Sequence, residues 1–142
     1  MFTVKLTRSG HIRLSERPQI RSSSDAASIA RKHLDHCDRE QIVTLLLDAK
    51  CRLIGMNIVS VGDLNTSIVH PREVFKAAIL ANASSLILAH NHPSGDPTPS
   101  PEDVAVSRRV YEAGRIVGID VMDHLVIGDC GRFTSLKERG LM

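Results

Sequence analysis

At 142 residues, with 42% hydrophobic and 24% charged side chains, the chain suits one globular domain, and no apolar run nears the roughly 20 residues that cross a bilayer. A net charge of +2, 3% aromatics and no Trp exclude the strongly basic, aromatic-rich surface of a dedicated nucleic-acid binder. Cys37, Cys51 and Cys130 form no CxxC pair and the N-terminus MFTVKLTRSG lacks the apolar core of a secretory leader, so a cytoplasmic protein with reduced, core-packed cysteines is expected.

Residues 1–23 make a basic arm, in which Lys5, Arg8, Arg13, Arg17 and Arg21 stand against Glu16 alone. FTVKLT and HIRLSE alternate as an edge strand or hairpin does, and Arg21-Ser22-Ser23-Ser24 reads as a linker. Such an arm is either a solvated edge or a weak phosphate contact to DNA. The domain proper is expected over 24–142. Ser23 or Ser24 caps a helix to about His36, since Ala27, Ile29, Ala30, Leu34 and Cys37 recur at helical spacing. IVTLLLDAK and CRLIGMNIVSVG follow as an antiparallel pair, and Gly62-Asp63-Leu64-Asn65 is a loop.

Pro71 suits the first turn of a helix that runs to about Ala81, because its missing N–H has no partner there in any case. Leu86 to His90 lacks alternation and so reads as a strand buried on both faces. Pro93, Gly95, Pro97, Pro99 and Pro101 stiffen the loop after it. Ser100-Pro101-Glu102-Asp103 opens the next helix, which runs to about Val117 with Val104, Ser107, Val110 and Tyr111 on its apolar face and Gly118 as its stop. Ile119 to Gly128 is a strand, and Asp129-Cys130-Gly131-Arg132 turns into Phe133-Thr134-Ser135. This order of elements predicts an α/β fold, a mixed β-sheet with flanking helices.

The chemistry concentrates in HNHPSGDPTPSPED, His90 to Asp103. Residues i and i+2 of a strand face one side, so His90 and His92 present two imidazoles to one point, and Asp103 can add a carboxylate oxygen from the following helix. Ser100 and Asp103 are equally explained as a helix-capping pair, and a cap also fixes where the carboxylate points.

His90, His92, Pro93, Gly95, Pro99, Ser100 and Asp103 resemble the JAMM metal-binding motif of the MPN-domain metalloproteases. With LILAHNHPSGDPTPS, IVHPREVFKAAI, LLLDAKCRLIG and VMDHLVIGD, the chain resembles the RadC family over roughly residues 24–142. The resemblance implies a JAMM/MPN fold related to the cytidine deaminases, one Zn²⁺ per chain at His90, His92 and Asp103, and a Ser100 that helps stabilise an oxyanion. Deaminase chemistry is not implied, since no HxE and no PCxxC occurs. What the motif implies is hydrolysis of a peptide or isopeptide bond in a peptide or protein substrate, which needs a carboxylate as proton acceptor.

By topological position that carboxylate is Glu40, with Glu73 and Glu102 as rivals. Many RadC-type sequences carry an acid in the second strand, where this chain has Asn57; were that position the base, this chain would hold metal without efficient hydrolysis. Asp123-His124 reads either as a support for a ligand histidine or as a buried structural pair. The resemblance also implies an alternative, a DNA-repair or recombination accessory protein with a structural or weakly active metal site. Longer family members add an N-terminal helix-hairpin-helix region, and with fewer than about 25 residues before the first helix that module is expected to be missing from this sequence.

Overall fold

The strands fall where β-branched and long aliphatic residues cluster. The computed structural model describes residues 1–7, 17–62 and 69–142. Among them the order is α1 (Ser23–Leu34), β1 (Gln41–Leu47), β2 (Leu53–Val61), α2 (Pro71–Leu80), β3 (Ser85–Asn91), α3 (Pro101–Val117), β4 (Asp120–Ile127) and β5 (Phe133–Ser135). One mixed sheet in the order β2-β1-β3-β4-β5 results, parallel only between β3 and β4, where α3 forms the crossover.

Helices cover both faces, which is why β1 and β3 are buried without alternation. On one face, Val74 and Ala78 of α2 and Val106 and Val110 of α3 pack on Ile42, Leu86, Leu88 and Val121. On the other, Ala26, Ala27, Ala30 and Leu34 of α1 pack on Val43, Leu45, Ile87 and Leu125. Each fully buried leucine or isoleucine contributes about 1.5–3 kcal/mol to this sandwich. One irregularity matters for the site. Leu86 pairs with Val121 but Ile87 pairs with Asp123, so Met122 is an extra residue in β4. That bulge resets the alternation and turns Asp123 toward the α1 face and His124 toward the α3 face.

Several local expectations are corrected. FTVKLT is no strand, since residues 1–7 carry no helix or strand and are exposed. HIRLSE, Arg8, Arg13 and the 63–65 part of the loop lie outside the described residues. Arg21 to Ser24 is not a linker. Ser22 caps α1 by accepting the Asp25 N–H at 3.1 Å, and the residues before it pair with the start of β2, Ile20 N–H to Cys51 O at 2.8 Å and Leu53 N–H to Pro18 O at 3.0 Å. The inner face of α3 is Asp103, Val106, Ser107, Val110 and Gly114, with Tyr111 at its exposed margin. The cysteines are free, but Cys37 and Cys51 are only half-buried and Cys130 is exposed, so none is a core residue. Cys51 and Cys130 occupy positive-φ turn positions, where the backbone decides the placement. Among the described residues no helix is long and apolar enough to cross a membrane.

Candidate metal centre

β3 ends by delivering His90 to the α3 face, fully buried, and the chain leaves the strand with His92, whose N–H bonds Ile127 O at 3.0 Å. The two Nε2 atoms stand 3.0 Å apart. Asp103, at the third position of α3, closes the triangle: Oδ1 lies 3.2 Å from His90 Nε2 and Oδ2 lies 3.2 Å from His92 Nε2. Glu40, at the mouth of β1, brings Oε1 to 3.7 Å from His92 Nε2 and 3.9 Å from His90 Nε2. Ligand atoms of Glu40, His90, His92 and Asp103 all lie within 4.8 Å of one another, and these residues form a group that could hold a metal ion.

Each member is aimed by its own local structure. Asp103 takes part in a capping box, in which Ser100 Oγ accepts the Asp103 N–H at 3.1 Å and Asp103 Oδ2 accepts the Ser100 N–H at 2.8 Å. The carboxylate of Asp103 thus caps α3 and faces the two histidines at once. His92 Nδ1 contacts Asp96 O at 2.8 Å, so an Nδ1–H donated there leaves the Nε2 lone pair facing the cluster. The loop between is pinned as well as stiffened by proline: Gly95, at φ +85°, carries a carbonyl that accepts from Asp129 N–H and Arg132 Nη2, both at 2.9 Å. A Cβ on Gly95 would stand 2.4 Å from Asp129, so only glycine fits that approach.

Asn91, between the two histidines, holds Glu40 in place. Its Oδ1 accepts the Gln41 N–H at 2.8 Å and its Nδ2 donates to Arg39 O at 3.0 Å, gripping the backbone on both sides of the glutamate. Gly62 N–H adds a bond to Glu40 O at 2.7 Å. Residue type alone did not mark Asn91, because its task depends on β1 and β3 diverging just past the pair Ile42 and His90.

The rivals of Glu40 stand elsewhere. Glu73 bonds Lys76 at 2.9 Å on α2, and Glu102 is exposed on α3. Asn57 pairs with Thr44, two residues along β1 from the partner of His90, so its backbone is roughly 12 Å from that of His90 at ordinary strand spacing. Of Asp123-His124, only His124 reaches the site, its Nε2 at 2.7 Å from His90 Nδ1. Asp123 faces α1 and bonds Ser135 Oγ at 2.6 Å.

The donor set suits a divalent ion. A tetrahedron with bonds of about 2.05 Å has edges of roughly 3.3 Å, close to the 3.0, 3.2 and 3.2 Å sides of the triangle of His90, His92 and Asp103. The Glu40 edges are longer, at 3.7 and 3.9 Å. The electrostatics agree. Burial alone drives the Asp103 carboxyl upward, yet hydrogen bonds from His90 and His92 outweigh it and hold the group far below the ordinary carboxylate range. His92 is raised, chiefly by its hydrogen bond to Asp103, while burial and then the neighbouring His90 push His124 well below the usual histidine value.

A mixed sheet with helices on both faces and a His/His/Asp/Glu cluster at a strand end define an α/β domain with a candidate metal centre. The family model described as the RadC-like JAB domain matches residues 20–141, and the chain belongs to that family. It is 56% identical over 126 residues to a UPF0758 protein of Moorella thermoacetica, covering 89% of this chain and 55% of the relative. A UPF0758 protein of Roseiflexus castenholzii is also 56% identical over 126 residues, 89% of this chain and 54% of the relative. One of Desulforamulus reducens is 51% identical over 123 residues, 87% and 54%. The chain thus spans about half the length of the curated relatives it matches.

Proposed function

We propose that this domain is a zinc-dependent hydrolase of the JAMM type that cleaves a peptide or isopeptide bond in a cytoplasmic protein substrate. The observation that carries the proposal is the triangle of His90, His92 and Asp103 at tetrahedral-edge spacing, with Glu40 slightly farther from both histidines. Zn²⁺ held by those three residues supplies Lewis acidity toward the scissile carbonyl and the attacking water. His90, His92 and Asp103 bind the ion, each pre-aimed by its own hydrogen bond.

Glu40 Oε1 accepts the proton of the attacking water as its oxygen adds to the carbonyl carbon. The same carboxyl returns that proton to the leaving amine nitrogen as the C–N bond breaks. Ser100 Oγ spends a lone pair on the cap and keeps its O–H, which can donate to the carbonyl oxygen as charge develops. A cleft of about 350 Å³ lined by Asp38, Arg39, Glu40, Gly62 and Pro93 opens beside Glu40 and is where the substrate would lie.

Two measurements test this. The purified chain should bind about one Zn²⁺, and His92→Ala should abolish that binding. Glu40→Gln should keep the ion and lose hydrolysis of a peptide library by about 10²–10⁴-fold. A wild-type chain that takes up no zinc, or a Glu40→Gln variant that turns over normally, removes the respective part of the proposal.

A further inference from the structure

The His90 ring has two nitrogens, and the metal reading uses one. The other, Nδ1, faces His124 Nε2 at 2.7 Å, and the far nitrogen of His124, Nδ1, is in hydrogen-bond contact with Ser107 Oγ. His90, His124 and Ser107 are each 0% exposed, so no water competes for these contacts. The proton positions along the chain are then set by one requirement. A cation at His90 Nε2 needs the lone pair there, which puts the His90 proton on Nδ1. That N–H must donate to His124 Nε2, so the His124 proton sits on Nδ1 and is donated to the Ser107 hydroxyl oxygen. Every step has one donor and one acceptor, and reversing any one of them leaves a buried clash of two protons or two lone pairs.

We infer that His124 is a positioning residue for the metal centre, fixing the tautomer and ring plane of His90, with Ser107 fixing His124 in turn. The inference rests on the proposal that the cluster holds a metal. It assigns the residues that aim its most buried ligand, outside the motif that carries the ligands. α3 then serves the centre twice: Asp103 binds directly, and Ser107, one turn later on the same face, ends the relay. The usual acceptor behind a metal-bound imidazole is a carboxylate or a carbonyl, which makes the ligand more basic. A neutral imidazole pushes less electron density onto His90, so the ion stays more electrophilic than it would behind an aspartate.

The test is a Zn²⁺ competition titration against a chromophoric chelator, run beside thermal melts of the metal-free proteins. Wild type should bind tightly, and His124→Ala should lose about 10–100-fold in affinity. His124→Gln places an amide oxygen near the position of Nε2 and should recover most of that loss, while Ser107→Ala should give a smaller loss than His124→Ala. Long-range ¹H–¹⁵N spectra of the zinc-loaded wild type should show both His90 and His124 protonated at Nδ1, and this readout stands even where a variant fails to fold. The inference is overturned if wild type binds zinc while His124→Ala binds it equally. It is also overturned if the glutamine variant is no better than alanine, or if the spectra place the His124 proton on Nε2. A wild type that binds no zinc overturns the metal proposal and takes this inference with it.

Discussion

Asp103 and Asp123 are both buried carboxylates, 1% and 7% exposed, on opposite faces of the same sheet, yet their acidities are driven in opposite directions. Burial pushes both upward. At Asp103 two imidazoles and the Ser100 N–H reverse the push. At Asp123 burial prevails over the Ser135 hydroxyl and the N–H groups of Lys137 and His124, with Glu138 adding to it. Burial alone therefore does not set the acidity of a carboxylate; the partners do. Asp123 is bonded by groups of the strand it sits on and of the segment that follows, at 2.6 Å to Ser135 Oγ, 2.7 Å to His124 N and 3.2 Å to Lys137 N, and it ties that segment to β4. Asp103 is faced by side chains from a different element, and they point at a shared centre.

The largest effect that sharpens this contrast comes from truncating each acid. Asp103→Ala should abolish Zn²⁺ uptake in a chelator competition, whereas Asp123→Ala should leave uptake intact and lower the urea-unfolding free energy by about 1–3 kcal/mol, the cost of buried donors left unpaired. Equal loss of zinc in both variants would collapse the distinction.

A smaller effect is expected at Asn91, which belongs to the Asp103 side through Glu40. Asn91→Ala should keep zinc within a few fold, reduce turnover less than Glu40→Gln does, and speed hydrogen exchange at the Gln41 amide, whose acceptor is gone. Unchanged exchange at Gln41 would remove Asn91 from the placement of Glu40.

The smallest effect is in pH dependence. In the metal-free protein the depressed Asp103 contributes stability that is present above its unfolded value of about 3.9 and lost as pH falls through its folded pKa. The raised Asp123 acts the other way, since its contribution is present below about 3.9 and lost as pH rises through its folded pKa. Asp123→Asn should remove that second loss, seen as a flatter stability profile between about pH 4 and the raised value in urea midpoints. Parallel profiles for variant and wild type would contradict the assignment.

Much of this was legible in the sequence because it follows from periodicity and punctuation. The doubly buried β1 and β3, Pro71 and Pro101 at helix starts, Gly118 as a left-handed stop and the histidine spacing all act within a few residues of themselves. The cluster of His90, His92, Asp103 and Glu40 was legible for a mixed reason: the first three share one motif, and Glu40 came from topology, with nothing in its own surroundings to mark it. The rest depends on contacts between distant segments. Asn91 grips backbone groups 50 and 52 positions away in the chain. The spacing of Tyr111 suits an apolar face, but α3 packs with Val106 and Gly114 inward instead. His124 could not be separated from Asp123 by alternation, because the extra residue Met122 breaks it.

That extra residue makes β4 a strand of two segments joined by slack. Its first segment is keyed to the apolar core through Val121, and its second is keyed to His90 through His124, with Met122 absorbing the mismatch between them. Met122 is not idle there, since its side chain packs against the α1-side core. One strand thus answers to two registers, that of the apolar core and that of the imidazole beside His90, and the single extra residue lets both be met.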